Sequence, residues 1–281
     1  MRHGVVIPTA DERETVELVR LAESAGWDAA FSWETVWGHD PWVALGAAAL
    51  VTERIRLGTL LTPAARHRPW DLASTVASVD RLSAGRVVLG VGLGALHGNW
   101  LAFEPDEGRA VRARRLDEVL AVYAGLMAGG PFTYAGEFFT VGEVTELVPA
   151  PPVQRPHPPV WCVGALVPGA ARQRSLERAA RWQGVFPAVT GTAGSSGLTL
   201  ETLAEVVARL RDLRAAAALP WEGYDVVVEA DSYGGFGTVT GASEPWEKAG
   251  ATWWVESWWD LVDRPDATAE LRRRIGSGPR R

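Results

Sequence analysis

The sequence contains one cysteine, Cys162, and one lysine, Lys248. A lone thiol excludes an internal disulfide framework and a cysteine-built metal cage. A lone lysine leaves Schiff-base chemistry a single candidate. Lys248 falls on an expected helix rather than at a strand end, which argues against a lysine aldolase. Histidine is scarce as well: His3, His39, His67, His97 and His157. No two stand as His-x-His or His-x-x-x-His, and none joins an acid in a facial-triad pattern, so no metal site is expected. No apolar run approaches the ~18 residues of a membrane span. The opening MRHGVVIPTADERE is too polar for a signal peptide. No basic arm occurs, and a net charge of -6 over 281 residues gives no reason to expect a nucleic-acid partner. Neither a Gly-x-Ser-x-Gly elbow nor a Walker loop is present. These absences leave a soluble, cytoplasmic protein with no nucleic-acid or membrane partner as the expectation.

What is present is ample apolar material. Hydrophobic residues make up 47% and charged residues 22%, which excludes global disorder and allows a large core. The length suits two average domains or one α/β barrel, because such barrels run to about 250 residues as a single domain. Short β-branched runs alternate with longer stretches of helical period. Strands are expected at residues 3–7, 28–33, 55–61, 86–93, 159–163, 183–186, 224–229 and 251–255. Helices are expected at 11–25, 41–52, 70–82, 109–127, 170–182, 200–217, 243–249 and 265–275. Eight alternating pairs match a closed (β/α)₈ TIM barrel, with an open doubly wound sheet plus one unit as the alternative. Residues 129–158 break the alternation with glycines, β-formers and a proline cluster. They read as an insertion carrying a hairpin, between the fourth helix and the fifth strand. Residues 191–197 read as a flexible loop after the sixth strand. No linker divides the chain, so a single domain over 1–281 is expected.

Barrel chemistry sits where strands end. His97, at the exit of strand four, titrates near neutrality and is the first candidate proton donor. Glu34 after strand two is the second and Glu256 after strand eight the third, each with a plain surface or capping role as the alternative. The run Gly90-Val-Gly-Leu-Gly94 lacks dinucleotide-fingerprint spacing; it marks a tight strand exit or a close backbone approach to a ligand. The run from Gly164 to Gly169 opens an expected helix, whose free N–H groups would attract a phosphate, with Arg172 and Arg174 nearby. There are 14 tryptophans. Trp33, Trp37, Trp100 and Trp258 would make an aromatic, water-poor substrate pocket; core, interface and dimer-seam packing is the alternative.

Specificity comes from the pieces in order. Glu53-Arg-Ile-Arg-Leu-Gly-Thr-Leu-Leu-Thr-Pro63 precedes Arg66-His-Arg-Pro69, Asp80-Arg-Leu-Ser-Ala-Gly-Arg86 and Gly90-Val-Gly-Leu-Gly94. Arg115-Leu-Asp-Glu118, Phe132-Thr-Tyr-Ala-Gly-Glu-Phe-Phe139 and Pro151-Pro-Val-Gln154 follow. Over roughly residues 4–190, and more loosely over 250–256, the chain resembles the bacterial luciferase-like family of flavin-dependent oxidoreductases. The resemblance implies a TIM barrel with an insertion, a homodimer, and FMN or the deazaflavin coenzyme at the C-terminal mouth. It implies a non-proline cis peptide at Leu60–Leu61, beside Thr59, backing the flavin ring. It places Gly92 and Gly94 beside the ring and its ribityl chain, and Gly164 to Gly169 at the phosphate. The implied reaction is a monooxygenation or a hydride transfer on a small organic substrate, which the tryptophans would make apolar or aromatic, with a separate flavin reductase as a further partner. Two departures stand out. Trp33-Glu34 replaces the Asp-His of many deazaflavin-using relatives, and Leu93 replaces a luciferase-type arginine. They motivate a second reading, a flavin-binding barrel without turnover. A non-redox hydrolase or lyase is the third, weakened by the missing metal ligands and strand-end lysine.

Overall fold

The apolar runs of the sequence pair edge to edge in the computed structural model, which describes residues 1–96, 99–145, 149–190, 197–234 and 239–280. Strand β1 (Arg2–Ile7) leads into helix α1 (Glu12–Ser24), which Asp11 caps by accepting from the Glu14 N–H at 2.7 Å. Strand β2 (Ala29–Ser32) leads into α2 (Pro41–Ala49), where Asp40 caps and Pro41 takes the first turn. Strand β3 (Arg56–Thr62), α3 (Pro69–Leu82) and β4 (Val87–Val91) follow. A one-turn helix α4 (Trp100–Phe103), which the sequence pattern does not announce, precedes the long α5 (Arg109–Ala128). After the small hairpin β5 (Tyr134–Ala135) and β6 (Thr140–Val141) come β7 (Val160–Leu166), α6 (Arg174–Ala179) and β8 (Gly184–Val189). Helix α7 (Leu200–Ala216), β9 (Asp225–Ala230), α8 (Glu244–Lys248), β10 (Trp253–Ser257) and α9 (Ala267–Gly276) complete the chain.

Eight parallel strands close in the order β1-β10-β9-β8-β7-β4-β3-β2, and the hairpin stays outside as its own sheet. This is the (β/α)₈ barrel that the alternation predicts. Strand periodicity of two then sorts the side chains into two cores. Val5, Ala30, Leu57, Leu89, Cys162, Val226 and Trp254 point outward against the helices. Val6, Phe31, Val88, Trp161, Val227, Trp253 and Val255 point into the barrel. The lower, N-terminal half of the barrel is packed solid. Asp225 sits there and accepts from Trp161 Nε1 at 3.2 Å and Trp253 Nε1 at 3.0 Å. It also pairs with Arg2, whose guanidinium lies 4.4 Å from the centre of the Trp253 ring. Burial, with the Arg2 charge adding to it, lowers the pKa of neighbouring Arg56 despite the opposing pull of Asp225. Any open space within the barrel is therefore at the C-terminal end.

Two acids fasten the insertion to the helix layer. Glu118 of α5 accepts from the backbone N–H groups of Glu137, Phe138 and Phe139 at 2.7, 3.0 and 3.1 Å, which folds the hairpin onto that helix. Asp80 of α3, fully buried, accepts from the Gln154 backbone at 3.0 Å and its side chain at 2.8 Å. One expectation needs correcting: the helix foreseen over 170–182 spans only Arg174–Ala179. Gln173 folds back instead, accepting from the Val167 N–H at 2.9 Å and donating to the carbonyls of Val167 and Ala170. Those bonds fix a loop where a first helical turn was expected. Of the expected flexible loop at 191–197, residues 191–196 lie outside the described residues. No helix among the described residues is long and apolar enough to cross a membrane.

Candidate active site

A cavity of about 570 Å³ opens at the C-terminal end of the barrel. Leu60, Leu61, Gly92, Val163 and Phe186 give it an apolar floor. The Leu60–Leu61 peptide is cis, and the β3–β4 ladder shifts register between Thr59 and Thr62, so two successive leucines both face the cavity. The segment leaving strand β4 accommodates this bulge with glycines. A Cβ on Gly92 would stand 2.8 Å from Leu61 and 3.1 Å from Val163. Gly94 has φ +73, and a Cβ there would stand 2.2 Å from the Trp100 ring. Gly94→Ala combines overpacking with an unfavourable backbone, so a loss of about 2–4 kcal/mol is expected, read as a lower melting temperature. An unchanged melting temperature would contradict the close Trp100 packing.

Polar groups reach this floor from three directions. From the turn after β2, Glu34 Oε1 lies 2.6 Å from His67 Nε2, and the Glu34 N–H donates to the Leu61 carbonyl at 3.2 Å. The second carboxylate oxygen, Oε2, is buried with no hydrogen-bond partner. A buried acceptor without a donor is costly, and such groups concentrate where a ligand completes them. From β9, Glu229 Oε1 accepts from Ser257 Oγ and Trp259 Nε1, both at 2.7 Å. Trp259 also meets Trp33 edge to face at 5.6 Å, and the Trp33 indole N–H donates to the Pro8 carbonyl at 2.8 Å. From the third side come Arg66, Arg109, Arg112 and Arg178. Arg178 is bound to Asp117 at 2.5 and 3.0 Å and to the Ala113 carbonyl at 3.0 Å, and Arg66 is held by Glu104 at 3.0 Å.

The structure brings together Trp33, Glu34, Leu60, Leu61, Gly92, Gly94 and Trp100, all expected at the site. It places the others, His97 apart, elsewhere. Thr59 is buried beside β4, donating to the Gly90 carbonyl at 3.1 Å, and does not line the cavity. A Cβ on Gly164 would meet Val185 at 2.5 Å and Leu176 at 3.0 Å, so that glycine serves helix packing. Gly169 lies in the exposed turn before Gln173, not at a helix start. Trp37 is 82% exposed on the surface. Glu256 and Trp258 face the outer layer: the Glu256 carboxylate accepts from Trp254 Nε1 at 2.9 Å, Trp258 Nε1 at 3.1 Å, the Ser232 N–H at 2.9 Å and the Ser232 hydroxyl. Every one of those bonds is structural, and none opens on the cavity. His97 lies outside the described residues. No group of three His, Cys, Asp or Glu side chains able to hold a metal occurs among the described residues. Sequence reasoning passed over His67 as a site residue. Its signal was present in Arg66-His-Arg-Pro69, directly after the strand-three exit. Arg109 and Arg112, on the first turn of α5, were also missed; they bring positive charge near Leu93.

The model of the luciferase-like monooxygenase family matches residues 1–172, more than half of the chain. The F420-dependent glucose-6-phosphate dehydrogenase of Microbacterium testaceum is 37% identical over 144 residues, which cover 47% of this chain and 42% of that protein. That of Nakamurella multipartita is 34% identical over 172 residues, covering 57% and 48%. The matched region thus spans less than half the length of these curated relatives. Among solved structures, the coenzyme F420-dependent tetrahydromethanopterin reductase of Methanopyrus kandleri superposes with a TM-score of 0.74 at 17% identity, covering 99% of this chain and 98% of its own, a likeness of fold. Monooxygenase RslO1 of Streptomyces bottropensis superposes with a TM-score of 0.64 at 25% identity, covering 98% of this chain and 78% of its own. With the barrel, the external hairpin and the Leu60–Leu61 bulge in place, the match is consistent along the chain's first half and beyond, and the protein belongs to the luciferase-like monooxygenase family.

Proposed function

We propose that the protein is an oxidoreductase that uses FMN or the deazaflavin coenzyme on a small organic substrate. The observation that carries this reading is the buried Glu34 carboxylate, paired with His67 and left with one unpartnered oxygen above an apolar floor. The residues present fit such a cofactor. A cavity of about 570 Å³ falls within the range of small-molecule sites. Leu60, Leu61 and Gly92 offer a flat apolar seat for a ring. When bound, the cofactor supplies the hydride or oxygen chemistry. The chain supplies the rest. Phe186, Val163 and Leu60 exclude water, and Trp33, Trp100 and Trp259 favour an apolar or aromatic substrate. Glu34 Oε2 takes or returns a substrate proton, while His67 holds the other oxygen in place. Glu229, fixed by Ser257 and Trp259, is a second acceptor on the same cavity wall.

Fluorescence titration with each cofactor tests the reading. Binding by at least one, with a dissociation constant below about 100 μM (roughly 5.5 kcal/mol), is expected, and failure of both would sink it. The likeness to the F420-dependent dehydrogenases favours hydride transfer, and that to monooxygenase RslO1 favours oxygen insertion. Turnover that persists without oxygen selects the first. Turnover that requires oxygen selects the second, which calls for a separate flavin reductase. Tight binding without turnover of any substrate would support the non-catalytic alternative, which the Trp33-Glu34 and Leu93 departures favour.

The chain is also proposed to form a homodimer through α2. Val43, Leu50 and Val51 are 62, 68 and 48% exposed, and Leu82 of α3, which packs against Gly46 of α2, is 48% exposed. A helix apolar nearly all round is a buried helix in the working assembly. Light scattering is expected to give twice the mass of the chain, and the double variant Val43→Glu, Leu50→Glu half of that. A monomeric wild type would overturn the assignment.

A further inference from the structure

A second hollow, of about 350 Å³, adjoins the cavity and shares Arg66, Trp100 and Arg112 with it. Its wall adds Arg68, Arg115 and His67, against only two acids, Glu104 and Glu107. Those acids are already engaged. Glu104 holds Arg66 at 3.0 Å, and Glu107 grips Arg115 with both oxygens. One guanidinium group, that of Arg68, has no acid partner among the described residues, and Arg112 has a single one, Asp106. Arg68 is exposed. Arg112 is 9% exposed, and its Nε and Nη1 are buried without a hydrogen bond. The Asp106 carboxylate lies 3.1 Å from that Nη1, outside hydrogen-bonding geometry. Trp100 lies between the arginines, its ring centre 4.7 Å from the Arg66 carbon and 5.5 Å from that of Arg112, which orients both groups at the shared wall. Arg112, which lines the hollow and pairs with Asp106 alone, and the unpaired Arg68 together give a hollow of net positive charge suited to a planar or tetrahedral oxyanion.

We propose that this annex binds a phosphate or carboxylate group, and that Arg112 and Arg68 are its principal contacts. The assignment deepens the oxidoreductase reading and rests on it for the identity of the ligand. The anion belongs either to the substrate or to the cofactor's own tail, and the two sources separate experimentally.

The probe is inorganic phosphate, titrated by calorimetry into the full-length protein. Saturable binding that weakens with added salt is expected. Arg112→Gln should weaken it about tenfold, as the loss of a charge-assisted contact does. Arg68→Gln, at an exposed position that cannot unfold the barrel, should weaken it by about two- to fivefold. Arg209→Gln, on α7 and paired there with Glu205, should leave it unchanged. The titration is then repeated with saturating FMN, deazaflavin coenzyme or riboflavin. Phosphate that still binds beside the cofactor assigns the annex to a substrate anion. Phosphate displaced by FMN or the deazaflavin coenzyme, but not by riboflavin, assigns it to the cofactor tail. No saturable binding, or equal affinity in the wild type, Arg112→Gln and Arg68→Gln, overturns the proposal. Failure of the oxidoreductase reading would show separately, as no fluorescence response to either cofactor, and would leave the phosphate result intact.

Discussion

Glu34→Gln is expected to lower turnover by about 10²–10⁴-fold, the usual worth of a positioned acid or base. The amide keeps the shape of the side chain but neither takes nor returns a proton. Cofactor affinity should stay within about threefold, since a dissociation constant reports seating and not proton transfer. His67→Asn should cost less than Glu34→Gln, because it removes the group that holds Oε1 and leaves the carboxylate itself. The measurement is steady-state turnover on the first substrate that the cofactor-loaded protein accepts. A Glu34→Gln protein with wild-type turnover would remove Glu34 from the chemistry and return the search to residues beyond the described ones, His97 first.

The largest expected effect on stability lies on the other face of the barrel wall. Glu256→Ala strips an acceptor from four donors at once: two indoles, one backbone N–H and one hydroxyl. Buried donors left unpaired cost about 1–3 kcal/mol each before relaxation. A net loss of about 3–5 kcal/mol is expected, which lowers the melting temperature by about 10 °C in a protein of this size. Cofactor affinity at low temperature should be unaffected, because none of these groups lines the cavity. Glu256→Gln should lie between, as its amide retains one accepting oxygen. A Glu256→Ala protein that melts with the wild type would show that the Ser232 turn and the outer tryptophans are held by something else.

Glu256 and Glu229 also show where the sequence stops being legible. Both stand near the ends of barrel strands, where catalytic groups are sought. One faces the cavity and the other the helices, and alternation decides which. In Trp253-Trp-Val-Glu-Ser257 bulky apolar residues occupy both faces, so the pattern carries no sign of parity. Only the register with β1 and β9 supplies it. The eight strands themselves were legible, because strands buried on both faces read as apolar runs separated by helical periods. The Leu60–Leu61 bulge was legible through the ordered motifs around it. The run from Gly164 to Gly169 misled because a glycine after a strand looks alike whether it admits a phosphate or a helix. The side chains that close on it, Leu176 and Gln173, come from later in the chain. His67 and Arg112 escaped for the same reason: Glu34 and Trp100, the partners that give them meaning, are distant in sequence and meet them only after closure.

Phe31, Trp161 and Trp253 stopper the barrel from beneath, so among the described residues the cup opens only at its C-terminal end. Two guests using a single door must queue. On the proposed reading, a cofactor ring seated on the Leu60–Leu61 floor would enter before the substrate and leave after it. Initial-rate kinetics should then show a compulsory order, with excess substrate trapping the spent cofactor and slowing the cycle at high concentration.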